Sequence, residues 1–346
     1  MKYIFKPLFL FLVIFPVSCS KTQTTPITPV TKTVISKGAD ISWLTQMEAS
    51  GLKFYDSTGK QQDCILLLKS LGINSIRLRA WVNPAGGWNN TTDVVAKAKR
   101  AKAVGMKILL DLHYSDTWAD PGHQTKPAAW SGLSLTSLQT TVYNYTKGVM
   151  DTLKLNGVIP NWVQVGNETN DGMLWPDGGI SANQNSFTNF ASLVTQGYNA
   201  VKAVSDTTKV IVHVSNGYDN SLFRWMFDGL TAGGAKFDII GMSLYPSYSA
   251  NSWSSINLQC LTNMNDMVSR YGKPVMIVEA GMPENDPATA KSFLTDIISK
   301  TKSVASGNGL GVFYWEPECY NNWQGYGLGA FDNTGKPTAA LNAFIK

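Results

Sequence analysis

Charge is what this sequence has least of. Asp, Glu, Lys and Arg make up 15% of its 346 residues, against roughly 25% in an ordinary soluble domain. The first eighteen residues hold two lysines and no acid, which leaves 27 basic and 24 acidic side chains for the rest of the chain. Such a balance gives no electrostatic footprint for nucleic acid, and the densest basic group, Lys97, Lys99, Arg100 and Lys102, has the spacing of a solvated helix face. Histidine is equally scarce: His113, His123 and His213 stand too far apart for a zinc signature. Of four cysteines, Cys19 follows an apolar leader, and the other three are an odd number that implies no disulfide framework. Cys64 and Cys260 fall in apolar helical patterns and read as buried thiols. The apolar run from Pro7 to Val17 is shorter than the roughly 18 residues a membrane-spanning helix needs.

Aromatic side chains are abundant. The chain carries 11 Trp, 13 Tyr and 14 Phe within a hydrophobic content of 44%, enough to bury a large core and to exclude global disorder. Rings in a low-charge background suit neutral, polyhydroxylated ligands, whose C–H faces stack on aromatic planes while their hydroxyls take hydrogen bonds.

The N-terminus reads as a secretory leader over residues 1–18, with Lys2 and Lys6 before the apolar run. Pro16-Val17-Ser18-Cys19 resembles a bacterial lipoprotein box, with Cys19 as the lipid-modified first residue of the mature chain and proline in place of the usual leucine. Residues 19–36 then form a Thr/Ser/Pro-rich flexible tether. On this reading the protein crosses the inner membrane and is held at the outer membrane, on its periplasmic face or at the cell surface, by a lipid anchor alone.

From residue 37 to 346 one theme repeats: a short apolar run ending in polar or aromatic residues, then a longer amphipathic stretch. Strands are expected at Val34–Ala39, Ser75–Arg79, Met106–Leu112, Trp162–Gly166, Val210–Val214, Asp238–Leu244, Val275–Glu279 and Gly311–Trp315. Helical patterns occupy Asp63–Leu71, Thr92–Val104, Leu135–Leu155, Ser186–Ser205, Ser221–Ala232, Ser255–Tyr271, Pro287–Ser306 and Lys336–Ile345. Parallel neighbours need helical crossovers, so eight such units without a linker predict an α/β fold, a single (β/α)8 TIM barrel. The active site of such a barrel lies at the C-terminal ends of the strands. Those ends carry Asp40, Trp43, Arg79, Trp81, His113, Asp116, Trp118, Asn167, Glu168, Asn216, Tyr245, Glu279 and Trp315. Glu168 and Glu279, three strands apart and each closing a largely apolar strand, match the carboxyl pair of glycoside hydrolysis: one protonates the leaving oxygen, the other attacks the anomeric carbon.

Long blocks make the chain recognisable: Gly38-Ala39-Asp40-Ile41-Ser42-Trp43, Ile76-Arg77-Leu78-Arg79-Ala80-Trp81-Val82-Asn83-Pro84, Leu110 to Gly122 (LDLHYSDTWADPG), Val163-Gln164-Val165-Gly166-Asn167-Glu168, and Gly311-Val312-Phe313-Tyr314-Trp315-Glu316-Pro317. From about Lys37 onward the sequence resembles the family 53 glycoside hydrolases, endo-β-1,4-galactanases of a clan of retaining barrel enzymes. The resemblance implies Glu168 as acid/base, Asn167 as the residue holding the 2-hydroxyl of the sugar being cleaved, and Glu279 as nucleophile. It further implies Tyr245 as the hydrogen-bond donor to the nucleophile, Arg79 as the arginine that keeps it ionised, and His113 and Trp315 as the lining of the non-reducing side. A retaining enzyme would hold the two carboxyl groups about 5 to 5.5 Å apart.

Asp40, Trp81, Asp116, Trp118 and Trp323 complete the expected contacts to a pectic galactan chain. Asp116 has a plainer alternative in capping its turn. Trp88 and Trp175 also fall beyond strand ends, whereas Trp130, Trp162 and Trp225 read as core. The resemblance requires no cofactor. Relatives with a longer segment after the nucleophile can hold a structural calcium, and here Glu284 and Asp286 offer oxygens without the spacing for six or more contacts. A monomer is expected. The alternatives carried beside the galactanase are another retaining endo-β-1,4-glycanase of the clan, acting on mannan or xylan, and a surface glycan-binding lipoprotein that has lost catalysis.

Overall fold

The computed structural model describes residues 35–345, together with residues 1–4, 7, 8, 10 and 12. Cys19, the leader junction and most of the tether lie outside the described residues. The compact unit Ile35–Lys346 is a closed barrel of eight parallel strands: β1 (Ser36–Asp40), β2 (Ser75–Ala80), β3 (Lys107–Leu112), β4 (Trp162–Val165), β5 (Lys209–Val214), β6 (Ile239–Leu244), β7 (Val275–Ala280) and β8 (Gly309–Trp315). Each strand pairs with the next, and β8 closes on β1. The (β/α)8 expectation is met.

Between the strands run helices α1 (Leu44–Ala49), α2 (Cys64–Ser70), α3 (Thr91–Ala103), α4 (Leu135–Leu155), α5 (Thr188–Val204), α6 (Asn220–Ala232), α7 (Trp253–Tyr271) and α8 (Pro287–Ser303). Asp63, Asn90, Ser134, Asp219, Ser252 and Asp286 cap six of them by accepting a backbone N–H from the first turn, the expected use of short polar side chains at helix starts. Among the described residues no helix is long and apolar enough to cross a membrane.

Three expectations are corrected. The tether expected over residues 19–36 overlaps the strand expected from Val34, and the strand reading holds there: Ile35 and Ser36 are buried, because Ser36 already pairs with Gly311 of β8. The closing segment is not an α-helix but a six-residue 3-10 turn, Ala339–Phe344. Trp225 is not core: the buried stripe of α6 is Phe223, Met226, Phe227 and Leu230, and Trp225 lies off that stripe, 42% exposed.

The strands are apolar on both faces, as parallel sheets require. Outward residues pack on the helices, while Leu109, Trp162, Ile211, Ile239, Met276, Val278 and Phe313 form a separate plug inside the barrel. Gly38 makes room for that plug, since a Cβ there would stand 2.0 Å from the Phe313 ring. Above the plug, toward the strand C-termini, the inward positions turn polar.

Candidate active site

The polar layer follows from strand alternation. In β2, Arg77 and Arg79 are two residues apart and share the inner face, as do Asp111 and His113 at the end of β3. Gln164, His213 and Ser243 join them from β4, β5 and β6. Glu279 arrives by a different route. Met242 pairs with Ile277 and Ser243 with Glu279, so Val278 is an extra residue in β7. This bulge places both Val278 and Glu279 inward and aims the carboxylate at the barrel mouth.

Arg77 is the hub of the layer. Its guanidinium lies 2.6 Å from Asp40, 2.8 Å from Asp111 and 2.7 Å from Glu279, and it donates to Asn167 Oδ1 at 2.8 Å, with no exposure of its own. Glu279 also accepts the Tyr245 hydroxyl at 2.9 Å. Arg79 is therefore not the arginine that pairs with the nucleophile candidate. One turn of alternation higher, it binds Glu316 at 2.7 Å. Its Cζ lies 5.1, 5.1 and 4.2 Å from the ring centroids of Trp43, Trp81 and Trp118, and its Nε and Nη2 find no acceptor among the described residues. Arg79 anchors the tryptophan wall by cation–π contact.

Glu168 follows a sharp turn. Gly166 has φ +82°, and a Cβ there would meet Thr169 Cγ2 at 2.6 Å. Glu168 itself has φ +43°, a left-handed conformation that costs an L-residue about 1 kcal/mol or more. Its backbone N–H donates to His213 Nδ1 at 3.3 Å, and its Oε1 accepts the Ser243 hydroxyl at 2.5 Å. One carboxylate oxygen of Glu168, one of Glu279 and a ring nitrogen of His213 all lie within 4.8 Å of one another.

Burial pushes both carboxyls well above the ordinary carboxylate range, and Asp111 near both adds to it. One guanidinium among Asp40, Asp111, Glu168 and Glu279 leaves excess negative charge, and a shared proton relieves it. Two such carboxyls titrate as a pair. Their partners decide which holds the proton. Glu279 touches a guanidinium and a phenol donor, so the anion rests there despite its burial, and the proton rests on Glu168. Burial also raises Tyr245 well above its ordinary range, so its proton stays in place to be donated.

These carboxyls open into a cleft of about 440 Å³ lined by His113, Trp118, Asn167, Tyr245, Tyr248, Trp315 and Tyr326, among others. His113 is fixed by accepting at Nδ1 from Trp81 Nε1 (3.1 Å) and the Ala119 N–H (3.1 Å), with Nε2 on Asp111 at 2.9 Å. Trp315 packs 4.8 Å from Tyr326 and 5.8 Å from Trp118. Trp118 and Tyr326 also line a second cleft with Trp43, Trp81, Trp88 and Gln324, so an aromatic track leads away from the acids.

Three further expected contacts are not in the cleft. Asp40 has no exposure and spends its carboxylate on Arg77 and Ser42. Asp116 accepts the N–H groups of Asn83 and Ala128 and so caps local turns. Trp323 is half-buried against the core and lines neither cleft. Asp286 caps α8, and neither it nor Glu284 enters a group of three or more potential metal ligands among the described residues. Arg77, Asp111, Gln164, His213 and Ser243 were missed. The available signal was charged or polar residues at inward positions of apolar strands, where burial without a partner is costly.

Comparison with known proteins agrees with this geometry. The sequence model of glycosyl hydrolase family 53 matches residues 36–344. The chain is 39% identical over 311 residues to a probable arabinogalactan endo-β-1,4-galactanase A of Neosartorya fischeri, covering 83% of this chain and 85% of that one. It is 36% identical over 317 residues to the arabinogalactan endo-β-1,4-galactanase A of Emericella nidulans, covering 86% and 88%. A fungal β-1,4-galactanase structure superposes with a TM-score of 0.82 at 30% identity, over 90% of this chain and all of that one. The family 53 catalytic domain of Ignisphaera aggregans gives 0.82 at 29% identity, over 92% and 97%. The chain belongs to glycosyl hydrolase family 53 and is a glycoside hydrolase.

Proposed function

We propose that this protein is a retaining endo-β-1,4-galactanase that cuts internal linkages of galactan and type I arabinogalactan, with Glu279 as nucleophile and Glu168 as acid/base. The observation that carries this reading is the carboxyl pair: within 4.8 Å of each other in one cleft, and held by unlike partners. Retaining glycosidases keep these groups about 5 to 5.5 Å apart, whereas inverting ones leave room for water at about 6.5 to 9.5 Å. The named galactanase relatives and the aromatic track support the substrate class.

In the first step the Glu279 carboxylate attacks the anomeric carbon while the Glu168 carboxyl gives its proton to the departing glycosidic oxygen. In the second, Glu168 takes a proton from water, which displaces Glu279 and restores the β configuration. Asn167 donates one amide hydrogen to the Ala119 carbonyl at 2.8 Å and has a second for the substrate's 2-hydroxyl. Trp315 stacks on the sugar at the cut.

Purified protein should release short oligosaccharides from galactan with the β-anomer appearing first by NMR, and kcat/KM should fall on the alkaline side at a pH well above the ordinary carboxylate range, where the pair loses its shared proton and Glu168 can no longer donate it. Glu168→Gln should lose about 10²- to 10⁴-fold on galactan and far less on a dinitrophenyl galactoside, whose leaving group needs no proton. Cleavage of mannan or xylan in preference to galactan, or initial release of the α-anomer, defeats the proposal.

The anchor is proposed on sequence alone: Cys19 carries lipid after removal of residues 1–18, and residues 20–34 act as a spacer. Cys19→Ala should move the enzyme from the membrane fraction to the soluble fraction; an unchanged distribution rejects the anchor.

A further inference from the structure

Glu168 has two carboxylate oxygens, and acid catalysis needs its proton on the one that faces the substrate. Nothing in the carboxyl group itself chooses between them. Beneath it lies a buried chain of hydrogen bonds: Glu168 Oε1 to Ser243 Oγ at 2.5 Å, and Ser243 Oγ to His213 Nε2 at 2.7 Å. His213 has no exposure and Ser243 1%. Burial and the nearby Arg77 guanidinium push His213 well below its ordinary range, so the ring is neutral and carries one N–H.

The other nitrogen shows which. Nδ1 meets the Gln164 amide nitrogen at 2.8 Å, the Glu168 backbone N–H at 3.3 Å and Asn167 Oδ1 at 2.9 Å. The backbone N–H can only donate. The Gln164 Nε2 assignment is fixed by its bond to Asp111 Oδ1 at 2.7 Å, with Gln164 Oε1 turned toward Arg77. Asn167 Oδ1 already accepts from Arg77 at 2.8 Å, and the two Gln164 amide hydrogens go to its two shortest partners, Asp111 Oδ1 and His213 Nδ1. Two donors converge on Nδ1, which is therefore the lone-pair nitrogen, and the proton is on Nε2. That N–H points at Ser243 Oγ, whose single hydrogen is then committed to Glu168 Oε1.

We propose that His213, as its Nε2–H tautomer, acts through Ser243 to hold Glu168 Oε1 as an acceptor, confining the acid proton to Oε2. His213 and Ser243 are positioning residues for the acid/base and touch no reacting atom. The chain rests on the assignment of Glu168 as acid/base for its catalytic meaning, but its geometry is independent of any substrate. The same donor lowers the proton affinity of Glu168 against its burial, so Ser243 tunes the upper limit of activity. The charged groups facing Glu168 are Arg77 from β2, Asp111 and Asp120 from β3 and its following loop, and Glu279 from β7; His213 additionally faces His113. Ser243→Ala leaves all of them in place.

The decisive experiment is NMR on the whole enzyme without substrate. Nitrogen shifts should show His213 protonated at Nε2 and bare at Nδ1. The carboxyl carbon of Glu168 should titrate about one to two pH units higher in Ser243→Ala, the size expected for losing one hydrogen bond to a charged group. Ser243→Thr, which keeps the hydroxyl, should restore the wild-type midpoint. In activity, Ser243→Ala should move the alkaline limb of kcat/KM on galactan upward by the same amount, with kcat lowered and KM unchanged. An Nδ1–H tautomer, or a Glu168 midpoint identical in Ser243→Ala, overturns the proposal. If wild-type enzyme fails to cut galactan while the NMR results hold, the functional reading has failed and the relay stands.

Discussion

Glu279→Ala is expected to lower kcat on galactan by about 10⁴-fold or more, the scale seen when a covalent nucleophile is removed, while leaving the fold intact. The carboxylate sits at the strand end with its outer side open to the cleft, so its loss leaves a space about the size of a small anion beside Arg77 and Tyr245. That space gives the prediction a second arm. Azide added to Glu279→Ala with a dinitrophenyl galactoside should restore turnover and yield the α-galactosyl azide, because the anion attacks from the side the nucleophile occupied. In Glu168→Ala, azide should instead open the covalent intermediate from the opposite side and yield the β-azide. NMR of the two products checks both assignments together. Residual activity above about 1% in Glu279→Ala, or the β-azide from that variant, means that Glu279 does not attack the sugar.

The barrel was legible in the sequence because its strands are apolar on both faces and its longer helices carry stripes at 3.6-residue spacing. All eight strands fall where expected to within a residue or two, and α4 falls on its expected ends. Short elements carry too few residues to show a period, which is why α1, six residues long, leaves no mark in the sequence pattern and the closing turn has the pattern of a helix. The acids at the strand ends were legible for a related reason: Glu168 and Glu279 interrupt apolar runs. Their partners were harder to find. Arg77 and Arg79 share one face of one strand, and period-2 alternation cannot say which reaches across the barrel and which is taken by Glu316. Simple alternation along Val275–Ala280 would even have pointed Glu279 outward with Ile277. The bulge at Val278 reverses it, and a bulge is a property of strand pairing, invisible in one strand's own sequence. Tryptophan roles were divided likewise. Trp81 and Trp118 line clefts because the segments after neighbouring strands converge on Arg79, and Trp315 joins them by packing on Trp118, three-dimensional facts, whereas Trp323 in a comparable sequence position packs against the core.

Arg77→Met should be the most damaging single change to the fold of the site. It leaves Asp40, Asp111 and Glu279 without their common cation, and breaking a buried ion pair by removing one member costs about 3 to 5 kcal/mol, a fall in Tm on the order of 10 °C for a chain of this size. The sign of the pH dependence follows from the same charges. Arg77 is the charge that holds the proton affinity of buried Glu279 down, so without it the folded-state pKa of Glu279 rises further above the unfolded one. The stability that the protonated group allows is then present at low pH and is lost as pH rises through the folded value. The deficit of Arg77→Met against wild type should therefore be larger at pH 8 than at pH 5 in thermal melts. Activity should fail at both, since Glu279 becomes protonated or loses its orientation. Arg79→Met is the control: it strands Glu316 and loosens the tryptophan wall but leaves the Arg77–Glu279 contact of 2.7 Å in place. It should weaken sugar binding while Glu279 still forms the covalent intermediate, detectable by mass spectrometry with a slow fluorosugar. If Arg77→Met matches wild type in stability, or if Arg79→Met alone prevents that intermediate, then the arginine that holds the nucleophile has been misassigned.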